Sequence, residues 1–159
     1  MKKYALVALF AVAVFGAAFA VSPQTGTLTI QGSVAEIFSL TLPGAYMSGE
    51  IANGSDAETW AIGDVTVDSN VKNWTISLSS KNGGYLVNTV DGTEKISYKV
   101  TLGALASAQA LTAKWTSDSQ VRTSKGGNTY GLSISFGPSD SYYQAGTYGD
   151  TLTLEIVHG

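Results

Sequence analysis

The 159-residue sequence predicts an all-β protein, an antiparallel β-sandwich, and three observations carry that prediction. Beyond the first twenty residues the composition is rich in Thr, Ser, Gly, Val, Ile and Tyr and sparing in Lys, Glu and Arg. Branched and aromatic side chains suit a pleated, half-buried surface. Hydrophobic residues recur at every second position in several separate stretches, the period of a strand with one face inward. Turn formers lie between these stretches: Pro43-Gly44, "SSKNGG" before Tyr85, Asp91-Gly92 and "KGGN" before Thr129.

The elements follow in order. Met1–Ala20 reads as a signal peptide, with Lys2 and Lys3 as the positive start, Ala5–Phe15 as a short apolar run, and Ala18-Phe19-Ala20 as the small-x-small cleavage pattern. The mature chain is expected to begin at Val21, to be exported, and to have no membrane span. Residues 21–34 form an N-terminal extension in which Leu28, Ile30 and Val34 share one parity, with Gly32 in the gap. Phe38, Leu40 and Leu42 make the next stripe. Residues 45–58 read as a polar loop, and Trp60–Val67 as a short, irregular strand. Trp74, Ile76 and Leu78 alternate, then Ile96, Tyr98, Val100 and Leu102, then Tyr130, Leu132, Ile134 and Phe136. The last stripe is Tyr148, Leu152, Leu154 and Ile156. Between Ala104 and Trp115, "ALASAQALTAKW" reads as a short helix or an irregular crossover, because its alanines favour helix while Thr and Ser interrupt it.

Residues 35–159 are therefore expected to form one sandwich of about six to seven strands, of the immunoglobulin-like kind. Six strands are one short of the smallest such sandwich, and an incomplete sheet leaves unpaired backbone beside exposed core. The stretch "TGTLTIQGSV" has the alternation of the missing strand, supplied either by this chain to itself or by a neighbouring copy.

Charge and chemistry narrow the function. Taking Lys2 and Lys3 from the nine Lys and Arg leaves seven against twelve Asp and Glu, a net of about −5 for the mature chain, with no basic run. Nucleic acid is not an expected partner. There is no cysteine and one histidine, His158, so a nucleophilic triad or a zinc site lacks its usual residues. No catalytic residue, metal ligand or cofactor-binding residue is expected, and the protein is read as not an enzyme. Asp64 and Asp68 share a strand face in an exposed-looking segment, and the Gly-Gly pairs read as turn chemistry. Asn53-Gly54-Ser55 and Asn73-Trp74-Thr75 match the glycosylation pattern. Trp115, Tyr142 and Tyr143 offer stacking faces for sugar, or packing over a sandwich edge.

The closing "AGTYGDTLTLEI" resembles the last strand of archaic chaperone–usher pilin subunits, grouped with spore coat protein U-like secreted domains. Gly146, Tyr148, Asp150, Leu152, Leu154 and Ile156 match that family's Gly-x-Tyr-x-Asp-x-hydrophobic-x-hydrophobic ending. The order of "WTISLSSKNGG", "NTVDGTEKISYKV" and "YGLSISFG" is also similar. The chain departs from the family in lacking a cysteine pair; Phe38 or Leu40 stands near where one is usual. The resemblance implies a structural subunit of a fimbria-like surface fibre or coat, passing through the periplasm with a chaperone and an outer-membrane usher as partners. It implies self-assembly by strand donation, with Leu28, Ile30, Gly32 and Val34 as the donor positions and Tyr148, Leu152, Leu154 and Ile156 on the terminal strand of the accepting groove. Main-chain bonds and side chains in alternate pockets hold such a contact together, and strand donation by pilins is a standard example of the mode. The competing expectation is a self-complete monomeric sandwich that binds glycans or surfaces.

Overall fold

The computed structural model describes residues 25–44, 49–53 and 56–159. The expected signal peptide lies outside them, as does part of the 45–58 loop. The chain divides into two units, one ending at Ser33 and one spanning Val34–Gly159. In the first, residues 25–33 form no strand, and Leu28 and Ile30 are exposed.

The second unit is all-β, with no helix among the described residues. Its strands are β1 (Phe38–Thr41), β2 (Glu58–Ser69), β3 (Trp74–Ser80), β4 (Tyr85–Asn88), β5 (Lys95–Leu102), β6 (Ala106–Gln109), β7 (Trp115–Thr116), β8 (Asn128–Phe136), β9 (Tyr148–Gly149) and β10 (Leu152–His158). One sheet has the order β1-β2-β8-β5-β4-β9, with β6 added beside β5; the other has the order β10-β3-β7. All the pairings are antiparallel.

The core lies between the sheets. Trp74, Ile76 and Leu78 of β3 are fully buried, and so are Val65 and Val67 of β2 and Val100 and Leu102 of β5. Leu132, Ile134 and Phe136 of β8 join the same cluster. The Trp74 indole N–H donates to the Val121 carbonyl at 2.7 Å, so the largest core side chain leaves no buried donor unpaired.

Three sequence expectations are corrected. The segment 104–115 contains no helix: Gly103 (φ +46°) and the Leu105 N–H to Leu102 carbonyl bond form a tight turn that returns the chain along β5 as β6. Pairing with a sheet edge outweighs the helical preference of five alanines. The irregular 60–67 stretch is part of a twelve-residue strand with a bulge between Ala61 and Gly63, which moves the inward positions from Trp60 to Val65 and Val67. Gly63 (φ +141°) passes so close to Pro43 that a Cβ would lie 2.7 Å from the proline Cβ. Finally, the stripe from Tyr148 to Ile156 is two strands. Tyr148 lies in β9, paired with Asn88 in the larger sheet, whereas Leu152–His158 cross to the smaller one. Tyr148 is thus not on the terminal strand to which the sequence assigns it.

Candidate functional site

The two sheets finish differently on their two flanks. On one side of β3, the chain from Trp115 to Gln120 covers the edge. β7 pairs there, Ser117 N–H donates to the Ile76 carbonyl at 2.9 Å, and Gln120 N–H donates to that of Trp74 at 2.7 Å. On the other side β10 pairs with β3 along its whole length, from Leu152 opposite Ser80 to His158 opposite Trp74. The free side of β10 has no strand partner among the described residues. The edge of the larger sheet on this flank is β1, which pairs only with β2.

Burial along this flank breaks with the rest of the core. Leu154 lies opposite Leu78 and Ile156 opposite Ile76, so both face inward. Yet Leu78 and Ile76 are fully buried, whereas Leu152, Leu154 and Ile156 are only half-buried. On β1, Phe38 and Leu40 face inward opposite Ser69 and Val67 and are likewise half-buried. The inward apolar faces of two facing edge strands thus remain partly open to water. Unpaired backbone on β10 beside partly covered apolar side chains has the properties of a strand-accepting edge. The two edges meet at one end, where the Phe38 and His158 rings pack edge to face at 4.6 Å and His158 Nε2 lies 3.2 Å from Glu36 Oε1.

The entry to β10 is fixed by a polar anchor. Asp150 accepts bonds from Ser80 Oγ and Tyr98 Oη, both at 2.5 Å, from Asn82 N–H at 3.0 Å and from Thr151 N–H at 2.7 Å. Asn82 also donates to the Gly149 carbonyl at 3.0 Å. Tyr98 is nearly buried, and burial, reinforced by the hydrogen bond to Asp150, raises its pKa well above the usual phenol value. Upstream, Gly146 (φ +153°) lies so close to Asn88 that a Cβ would stand 2.5 Å from its Nδ2. Tyr148 Oη donates to the Gln144 carbonyl at 2.8 Å. The Gly-x-Tyr-x-Asp run is a device for passing the chain from one sheet to the other in a fixed register. Ser80, Asn82 and Tyr98, which complete it, carry no local sequence signal, since they come from separate strands and turns.

The other singled-out residues are dispersed. Leu28, Ile30 and Val34 are 86%, 88% and 89% exposed, and a Cβ on Gly32 would meet nothing within 4 Å. Trp115 packs against the core from β7, Tyr142 is exposed, and Tyr143 packs against the core cluster and is held to Asn53 by two hydrogen bonds. Asp64 and Asp68 both lie on the outer face of β2. Among the described residues no group of three or more His, Cys, Asp or Glu side chains could hold a metal ion. The fold and flank together define a β-sandwich in which the edge strands β10 and β1 have inward apolar faces that are only partly covered. No protein-family model matches the chain, and no curated protein matches it.

Proposed function

We propose that this protein is an exported structural subunit that polymerises by strand donation into a fimbria-like or coat-like surface fibre. The observation that carries the reading is the open flank. β10 offers an unpaired edge with Leu152, Leu154 and Ile156 half-buried, facing the half-buried Phe38 and Leu40 of β1. The segment Leu28–Val34 suits such an edge. It has seven residues, as β10 has, with apolar side chains at three of its four alternate positions and Gly32 at the other, and Leu28, Ile30 and Val34 are exposed in the isolated chain. Inserted between β10 and β1 of a neighbour, Leu28, Ile30 and Val34 would cover the open strip, and Gly32 would allow close approach of the two backbones. Before assembly the same edge would need cover from an exported chaperone, and an outer-membrane usher would order the exchange.

The test compares wild type with Ile30→Asp, by soluble exported protein and by a non-boiled denaturing gel. Wild type is expected to give a ladder that collapses on boiling, and Ile30→Asp to remain soluble without one. A wild type that is monomeric at high concentration, with Ile30→Asp lost to misfolding, would overturn the proposal. Mass spectrometry of the exported protein is expected to find Val21 at its N-terminus; a dominant species retaining Met1–Ala20 would argue against export and donation together.

A further inference from the structure

A second surface feature lies away from the open flank. β8 pairs with β5 only from Tyr98 to Leu102, while β5 begins three residues earlier, at Lys95. Beyond Phe136 the chain turns away through Gly137-Pro138, so the Lys95–Ser97 stretch has β4 on one side and no strand on the side β8 has left. A cleft of about 560 Å³ is lined by this stretch and Lys99, by the 83–85 and 108–112 segments, and by Ser135 to Ser139 with Tyr143. Its walls include Tyr85, Lys95, Ser97, Lys99, Ser135 and Tyr143, and among the described residues no aspartate or glutamate lines it.

The charge of this cleft is opposite to that of the chain. Lys95 and Lys99 both stand on the outer face of β5, and neither makes an ion pair among the described residues. Lys95 Nζ is 5.9 Å from the centre of the Tyr85 ring, a cation–π contact that leaves the ammonium free to meet an anion. The far wall is preorganised: Asn53 accepts from the Tyr143 N–H at 2.5 Å and donates to its carbonyl at 3.1 Å. A wall already fixed loses little freedom on binding.

We propose that this cleft binds an acidic oligosaccharide. Four residues along a strand place the two lysine Cα atoms about 13 Å apart, more than one sugar ring spans, so the ligand carries at least two carboxylates or sulfates along a chain. The hydroxyls of Ser97, Ser135 and Tyr143 suit a ligand covered in hydroxyls, and tyrosine rings suit the apolar faces of sugar rings. A nucleic acid is disfavoured by the negative charge of the chain as a whole, since two lysines neutralise few phosphates. The cleft is built from strands other than β10 and β1 of the open flank.

The test is calorimetric titration of the exported protein, in the state in which it is purified, with tetragalacturonate at 50 mM and 500 mM salt. Maltotetraose, hexathymidylate and a hexaglutamate peptide serve as comparisons. Binding of the uronate is expected, weakened by salt, with no detectable binding of maltotetraose. K95Q/K99Q should weaken it at least fivefold, and K95R/K99R should retain it. All four substitutions lie on an outer strand face, so folding is expected to survive, and unchanged thermal unfolding of both variants checks this. Absence of uronate binding, equal binding of maltotetraose, or indifference to K95Q/K99Q would overturn the proposal. Tighter binding of hexathymidylate or hexaglutamate would overturn it in favour of that other class of ligand.

Discussion

Replacing Tyr98 by phenylalanine removes one hydroxyl and leaves the packing of the ring intact. That hydroxyl donates to Asp150 Oδ2 at 2.5 Å from a side chain only 4% exposed. Hydrogen bonds to charged acceptors contribute about 1.5–3 kcal/mol. Asp150 would keep Ser80 and the N–H groups of Asn82 and Thr151, and it is half-buried, so water can take up part of the lost bond. The lower part of the range applies, and Tyr98→Phe is expected to lose about 1.5–2 kcal/mol in urea unfolding at pH 7. A second arm uses pH. The folded-state pKa of Tyr98 is raised above that of an unfolded tyrosine, which is about 10. Above that pH the unfolded state binds fewer protons than the folded state, so the stability due to Tyr98 is fully present below pH 10 and declines as pH rises beyond it. The slope is at most about 1.4 kcal/mol per pH unit, and Tyr98→Phe lacks it, so the gap between the two proteins should narrow above pH 10. A loss below about 0.5 kcal/mol at pH 7, or a gap constant to pH 11, would refute the claim that this bond anchors the entry to β10.

Leu154→Asp should abolish accumulation of soluble exported protein, because a carboxylate facing fully buried Leu78 costs several kcal/mol, whereas Thr153→Asp, on the exposed face, should be tolerated; equal protein levels would show the parity of β10 to be wrong. Gly146→Ala should lower stability by about 1–3 kcal/mol in a thermal melt, since φ is +153° and the new methyl meets Asn88. Gly149→Ala, where a Cβ meets nothing within 4 Å, is the control and should change little. Lys114→Gln should leave the melting temperature unchanged, because its ion pair with Glu155, at 2.6 Å, is about half exposed on both sides.

The long stripes were legible in the sequence because alternation over five or more residues survives in the structure wherever a strand has one face on the core. Trp74–Ser80, Lys95–Leu102 and Asn128–Phe136 are of this kind. Three failures have a common cause, in that backbone geometry intervenes where side-chain pattern carries no record of it. The bulge at Gly63 reverses the parity of β2, the turn at Gly103 folds an alanine-rich stretch back as β6, and the crossover at Asp150 splits one stripe between two sheets. Short strands such as β4, β7 and β9 have two to four residues, too few to establish a period. The lysine-lined cleft was invisible for another reason: Lys95, Ser135 and Tyr143 line it from separate parts of the chain, β5, β8 and the loop after β8.

The open flank shows how far a hydrophobic pattern can be taken. In the sequence, Leu152, Leu154 and Ile156 are indistinguishable from Ile96, Tyr98 and Val100, since both sets alternate and both face a core. Neighbours on both sides separate them in space. β5 lies between β8 and β4 with β6, and its inward residues are buried to within a few per cent; β10 has β3 alone among the described strands, and its inward residues are only partly buried. A strand whose inward side chains are apolar but half-covered gains free energy from any further strand that covers them, roughly in proportion to the apolar area removed from water. The same addition pairs its free backbone groups. Tyr98→Phe weakens only the entry to β10, and Leu154→Asp spoils its inward face. Ile30→Asp alters neither, so it alone distinguishes a strand that completes its own sandwich from one that completes a neighbour's.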